Sequence, residues 1–231
     1  MGQWNTLHTF DEKLYQARTL RLLENEQALL PYYEAFKSLS LPGTCTLTPA
    51  EFVRYAADFR QQISDLFVVG CAKDRESVLP LSDDHEYTFV NFFTYLIFQT
   101  AARFDPYFRF GYRAFAKSVI FRGQESVASL IVSDLLNSEN EFNRDGSGIR
   151  RILSAVDVRM LMLDLDNLTA RTDEGAAEYV EDFKHYITYL AERDLGVLSG
   201  LDLVSRMFMH ADSELPDMRD LKIESLCYQN D

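Results

Sequence analysis

Chemistry in this 231-residue chain would have to come from four histidines, three cysteines or a surplus of acids. His8, His85, His185 and His210 stand apart, and none falls in an H-E-x-x-H or H-x-E…C-x-x-C setting, so no zinc hydrolase or deaminase ligand set forms along the chain. Cys45, Cys71 and Cys227 are odd in number and far apart, which suits neither a zinc finger nor a disulfide framework. They read as reduced thiols of a cytosolic protein. No G-x-S-x-G, P-loop or G-x-G-x-x-G occurs, which removes the commonest hydrolase and nucleotide-binding signatures. Asn143 to Gly148 resembles the start of a calcium loop, but a frame begun at Asn143 puts Ser154 where the bidentate Glu belongs, and one begun at Glu141 puts Ile152 there. Asp157 and Asp164 share a helix face while Asp166 points roughly 200° away from Asp164, so one helix cannot converge the three on an ion. Neither a metal nor a cofactor is expected.

What remains is an acidic stripe. Glu174, Glu178, Glu181, Asp182 and His185 recur near helical spacing, and 157–182 carries eight acids against Arg159 and Arg171. Tyr179, Tyr186 and Tyr189 border the stripe. Carboxylates steer a basic partner, and tyrosines add contact area at low entropic cost. The candidate partner-binding residues are therefore Asp173, Glu174, Glu178, Tyr179, Glu181, Asp182 and Tyr186. The net charge of −13 falls mostly on 116–231, which argues against binding nucleic acid, where clustered Lys and Arg are needed. The basic stripe Arg109, Arg113 and Lys117 reads as a counterweight to the acidic half.

The elements that position these residues are organised around 86–122, which holds 13 of the 30 aromatic side chains. Asp105-Pro106 divides this stretch into two helices, Asp as N-cap and Pro in the first turn, with Gly123 as the closing cap. Phe89, Phe92, Phe93, Leu96, Phe108, Phe115 and Val119 form its expected core. Earlier helices cover 11–24 and 26–39, with Pro31 moving the start of the second to about Leu30. Thr48-Pro49-Ala50-Glu51 is a capping box that opens a helix to about Phe67. Helices follow at 125–137, at 149–168 with a restart at Ser154-Ala-Val-Asp157, a second capping-box-like start with Asp in place of Glu, at 173–194 ended by Gly196, at 201–211 and at 217–228. The expected architecture is all-α, one multi-helix domain spanning 1–231 around a central aromatic helix pair. The longest greasy segment, 89–102, is short for a membrane span and carries Asn91 and Gln99. No signal peptide is visible, so a cytoplasmic site is expected.

The opening Met1-Gly2-x-Trp4-Asn5, with Phe10-Asp11 after it, resembles the start of certain small bacterial proteins. The acidic, catalytically bare composition is similar to that of immunity proteins of bacterial polymorphic-toxin systems. That resemblance implies tight binding of a cognate toxin and obstruction of its active site, and it assigns no individual residue. Two other classes fit the same sequence: an enzyme with a carboxylate and tyrosine pocket, and a helical structural or regulatory module.

Overall fold

Trp4–Phe10 (WNTLHTF) forms a β-strand, β1, and the computed structural model places it at the centre of a five-stranded sheet. The structure describes residues 4–40, 45–69, 83–111, 119–121, 126–137, 148–170, 174–201, 203, 213–218, 221–223 and 226–227. The other strands are β2 (Ala102–Gly111), β4 (Gly148–Leu153), β6 (Gly196–Leu201) and β7 (Leu226–Cys227), with β3 (Val119–Phe121) and β5 (Leu168–Ala170) pairing separately. The sheet order is β4-β6-β1-β2-β7 and every neighbour is antiparallel. The all-α expectation is thus wrong, and the fold is mixed α and β.

The errors have a common origin. The expected second aromatic helix is strand β2, because aromatic residues fit a pleated surface as well as a helix. Asp105-Pro106 is a cis peptide inside that strand and caps no helix. Leu7 pairs with Phe108 and Thr9 with Arg103, so His8 alone faces a bulge of four residues, Phe104, Asp105, Pro106 and Tyr107. A proline, which has no N–H for the ladder, is tolerated where pairing is interrupted. In β4 and β6 every residue is buried, so neither shows the alternation that betrays a half-buried strand. The helices expected at 149–153, 201–211 and 217–228 are corrected to β4, the end of β6 and the short β7 where residues are described.

The helices are α1 (Glu12–Leu14), a π-turn at Tyr15–Thr19, α2 (Leu20–Leu22), α3 (Glu26–Leu39), α4 (Pro49–Asp58), α5 (Arg60–Asp65), α6 (Asp83–Thr100), α7 (Val127–Asn137), α8 (Ala155–Met162) and α9 (Glu174–Glu192). Both capping boxes form: Glu51 N–H donates to Thr48 Oγ1 and Thr48 N–H to Glu51, and Ser154 and Asp157 repeat the exchange. Asn25 caps α3 five residues before the expected start, and Pro31 lies inside the helix. Helix α9 closes on Asp194 and not on Gly196. Asp194 takes a left-handed φ of 57°, while the Leu195 and Asp194 N–H groups donate to the Leu190 and Ala191 carbonyls. Gly196 instead opens β6, where a Cβ would lie 2.3 Å from the Leu153 carbonyl oxygen. Among the described residues no helix is long and apolar enough to cross a membrane.

The helices cover both faces of the sheet. Phe10, Ile149, Ile152 and Leu198 point into a core with the helices that precede β2, chiefly α6 with Phe89, Phe92, Phe93 and Leu96. Phe52 stacks on Phe89 at 4.7 Å and meets Phe92 edge-on at 4.5 Å. Leu7, Phe108, Leu153 and Val197 point the other way, into a core with α7, α8 and α9. Phe108 is buried as expected; Phe115 and the Val119 side chain lie outside the described residues.

The buried β1 carries polar side chains, His8 among them. His8 sits among the rings of Phe98, Phe104 and Tyr107, at 5.0, 5.0 and 5.5 Å. Its Nδ1 lies 2.9 Å from the Phe104 carbonyl, an acceptor only, so Nδ1 carries the proton and Nε2 accepts from the Thr6 hydroxyl, also at 2.9 Å. Arg103 braces the same bulge: Nε donates to the Asp105 carbonyl, Nη1 to the Leu215 carbonyl, both at 2.6 Å, and Asp217 lies 3.4 Å away.

Two outcomes test this architecture. Phe93→Ala removes a ring from the centre of the first core and should cost about 3–5 kcal/mol in urea denaturation; a loss under about 1 kcal/mol would show that α6 does not organise that core. Burial pushes the His8 pKa down to about 4, the bond to Phe104 only partly opposing it. The unfolded chain therefore takes up this proton first, so the contribution of His8 is whole above about pH 6.5 and fades as pH falls toward 4. Between pH 7 and 4.5 the native chain should lose about 2–3 kcal/mol more stability than His8→Asn. Equal acid sensitivity of the two chains would count against a neutral, buried His8.

Candidate functional site

Helix α9 shows why only part of the acidic stripe can meet a partner. Val180, Phe183, Ile187 and Leu190 face the second core and are buried. Glu178, Glu181 and His185 lie on the opposite side, within about 60° of one another, and are exposed. Asp182 follows Glu181 by one residue, a rotation of about 100°. That step carries it to the core boundary, where it is buried. Tyr186 is fully buried, its ring 5.6 Å from Phe108, and burial pushes its hydroxyl pKa upward. Asp182 and Tyr186 therefore do not belong to the exposed face. Asp173 and the side chain of Glu174 lie outside the described residues. Glu178, Tyr179 and Glu181 remain, with Tyr179 43% exposed and Glu181 bonded to Lys184 at 2.9 Å.

The neighbouring helices supply what the acids lack. Helix α8 lies between α7 and α9, in contact with both, and all three turn an apolar side to the second core. In α8 that side is Val158 and Leu161, continued by Leu165. The opposite side is apolar too. Val156, Met160 and Leu163 follow at spacings of four and three, which places them within about 60° of helix face, and all are exposed, Leu163 at 78%. Val127 and Leu130 are exposed on α7, whose inner residues are Ala128, Ile131, Val132 and Leu135. A helix apolar on two opposite sides normally has both covered. Here one side has the sheet and the other has solvent.

Exposed carboxylates stand on the same helical layer. Asp166 and Glu178 are exposed, and Glu181 lies beyond them. Asp164 is held by Asn167 and by Ser126, which keep its carboxyl below the usual range. The nearest cation on α8, Arg159, is engaged by Asp194, which also binds Lys13 at 2.7 Å. Neighbouring helices thus expose apolar side chains on α8 and carboxylates on α9.

Spacing had revealed the acids but not this band. Val156, Met160 and Leu163 repeat at helical spacing, but the inner set Val158, Leu161 and Leu165 does so as well, so spacing alone does not tell which side is covered. Of the other candidates, Arg109 lies in strand β2 and not on a helix, and Arg113 and Lys117 fall outside the described residues, as does 138–147 with the calcium-like turn. Among the described residues no three His, Cys, Asp or Glu side chains converge on a possible metal position.

No protein-family model, no curated protein and no solved structure matches this chain.

The two sides of α8 should separate cleanly on substitution. Leu163→Ser should change stability by less than about 0.5 kcal/mol, and Leu161→Ser should cost several times that, about 3 kcal/mol or more. A comparable loss for both in thermal or urea unfolding would mean that Leu163 is covered within the protein itself.

Proposed function

We propose that this chain is a protein-binding module that engages a basic protein through the outer face of α7, α8 and α9. The observation carrying this reading is the exposed apolar stripe Val156, Met160 and Leu163 on α8, with Val127 and Leu130 exposed on α7 and Tyr179, Glu178 and Glu181 exposed on α9, the two helices that contact it. Contiguous exposed apolar surface with a polar rim marks a docking site. The apolar centre would supply affinity and the acidic edge would set orientation, encounter rate and the sign of the partner's charge. In its most concrete form, supported by the resemblance noted above, the module is a cytoplasmic immunity-type protein. Its partner is then a toxin domain whose basic active-site surface it covers. Nucleic acid and membrane are not partners in this reading, because the acidic edge repels phosphates.

The test is a photo-crosslinking residue placed at Leu163 in the intact chain, with a second at Leu30 on the other helical layer, in cells of the native host. Position 163 should capture one basic protein that position 30 does not. With that protein purified, Met160→Ser combined with Glu178→Lys and Glu181→Lys should weaken binding at least tenfold with an unchanged circular dichroism spectrum. Association with the native chain should slow as salt rises. Identical capture from both positions, or a folded variant that binds as tightly as the native chain, would remove this face from the interface.

A further inference from the structure

Residues 213–218, Ser-Glu-Leu-Pro-Asp-Met, belong to no helix or strand, yet they cover part of the second core. Leu215 and Met218 are the anchors, both buried, and each follows an acid, Glu214 and Asp217. Both acids are met by an arginine from far away in the chain. Arg18 Nη2 donates to the two carboxylate oxygens of Glu214 at 2.8 and 2.9 Å. Arg103 donates to the Leu215 carbonyl at 2.6 Å and lies 3.4 Å from Asp217. Beneath the segment, the Thr9 hydroxyl of β1 donates to Met218 Sδ.

Both arginines stand at irregularities of otherwise regular elements. Arg18 belongs to the π-turn Tyr15–Thr19, and Arg103 stands at the edge of the β2 bulge, its Nε taken by the Asp105 carbonyl. A π-turn within a helical run occurs mostly at functional sites, and a bulge re-aims the side chains around it. Two unrelated departures from regular geometry thus direct one guanidinium each to the same six residues.

The hold on this segment differs in kind from the hold on the sheet. No residue of 213–218 enters a strand ladder, and the bonds from Arg18, Arg103 and Thr9 all come from side chains. Water reaches both partners of the first latch, with Arg18 45% and Glu214 61% exposed, so salt screens that pair. Elements with few ladder bonds open at a lower free energy than the core strands. The central strand, by contrast, is bonded along both of its edges.

We infer that 213–218 is a strap, latched by Arg18 and Arg103, that opens as a unit while the sheet and its helices stay folded. Opening withdraws Leu215 and Met218 from the second core and uncovers the Thr9 hydroxyl on the central strand. Arg18 and Glu214 form the salt-sensitive latch. The strap does not depend on the outer face of α8, so the two proposals stand or fall independently.

Met218 reports the opening. It is 1% exposed, so hydrogen peroxide reaches its sulfur only when the strap lifts, whereas Met160 on α8 is exposed throughout. Initial rates of sulfoxide formation at both residues are followed by mass spectrometry in the full chain, and their ratio gives the open fraction. That fraction should exceed the globally unfolded fraction from urea denaturation at least about tenfold. Arg18→Glu should speed Met218 oxidation about fivefold and leave Met160 unchanged. Combining Arg18→Glu with Glu214→Arg should bring the rate back to within about twofold of the native chain. Molar salt should speed Met218 oxidation in the native chain and not in Glu214→Gln. Should Arg18→Glu fail to fold, the salt response of the native chain and of Glu214→Gln decides. An open fraction equal to the unfolded fraction, a Met218 rate indifferent to Arg18→Glu and to salt, or a charge-swapped chain as fast as Arg18→Glu would overturn the inference.

Discussion

Everything in this structure depends on β1 being covered on both faces. An antiparallel sheet often leaves one face to water, and its strands then alternate apolar with polar residues. Here helices lie on both sides, so Phe10 and Leu7 serve two different cores, and Asn5, Thr6, His8 and Thr9 are buried between them. Each polar group in such a strand must find a partner or destabilise the fold. His8 does so with the Phe104 carbonyl and the Thr6 hydroxyl, and Thr9 reaches Met218 Sδ at 3.9 Å. The Asn5 amide has no partner among the described residues. The bulge in β2 follows from the same constraint, since it is the Phe104 carbonyl within it that meets His8 Nδ1.

The two helical layers are held in register at the β4 edge by one buried side chain. Arg151 donates from Nη1 to the carbonyls of Asp65 and Val68, just where α5 ends, at 2.6 and 3.0 Å, while its Nε approaches Asp134 of α7 at 2.7 Å. A cation at the carbonyl end of a helix is favourable, and the carboxylate compensates its burial. The Ile152 N–H adds a bond to the Leu66 carbonyl. These bonds tie the helices of the first core to those of the second.

The charge of the chain takes on meaning only with this layering. Acids on α9 that form one cluster in the linear sequence are divided between an exposed side and the core boundary. The exposed ones gain significance from apolar neighbours on α7 and α8 that are distant along the chain. In the proposed reading, charge sets only the sign of the partner and the exposed apolar residues supply the affinity.

Local chemistry was legible in the sequence wherever neighbours along the chain decide the outcome. The capping boxes at Thr48 and Ser154, the span of α9 with its face Val180, Phe183, Ile187 and Leu190, and the burial of Phe89, Phe92, Phe93 and Leu96 depend on residues three or four apart. The strands did not show, because a strand covered on both faces loses its alternation and takes its hydrogen bonds from segments far away in sequence. The seven residues of β1 pair with residues about a hundred and about two hundred positions further on. The same holds for function: helical spacing put Asp182 and Tyr186 beside the exposed acids, and only packing against the sheet revealed that both are buried. The helical spacing of the acids was determined by the sequence, while the tertiary structure decided which of them face water and which apolar residues of α7 and α8 remain uncovered, because burial is set by packing against segments far away along the chain.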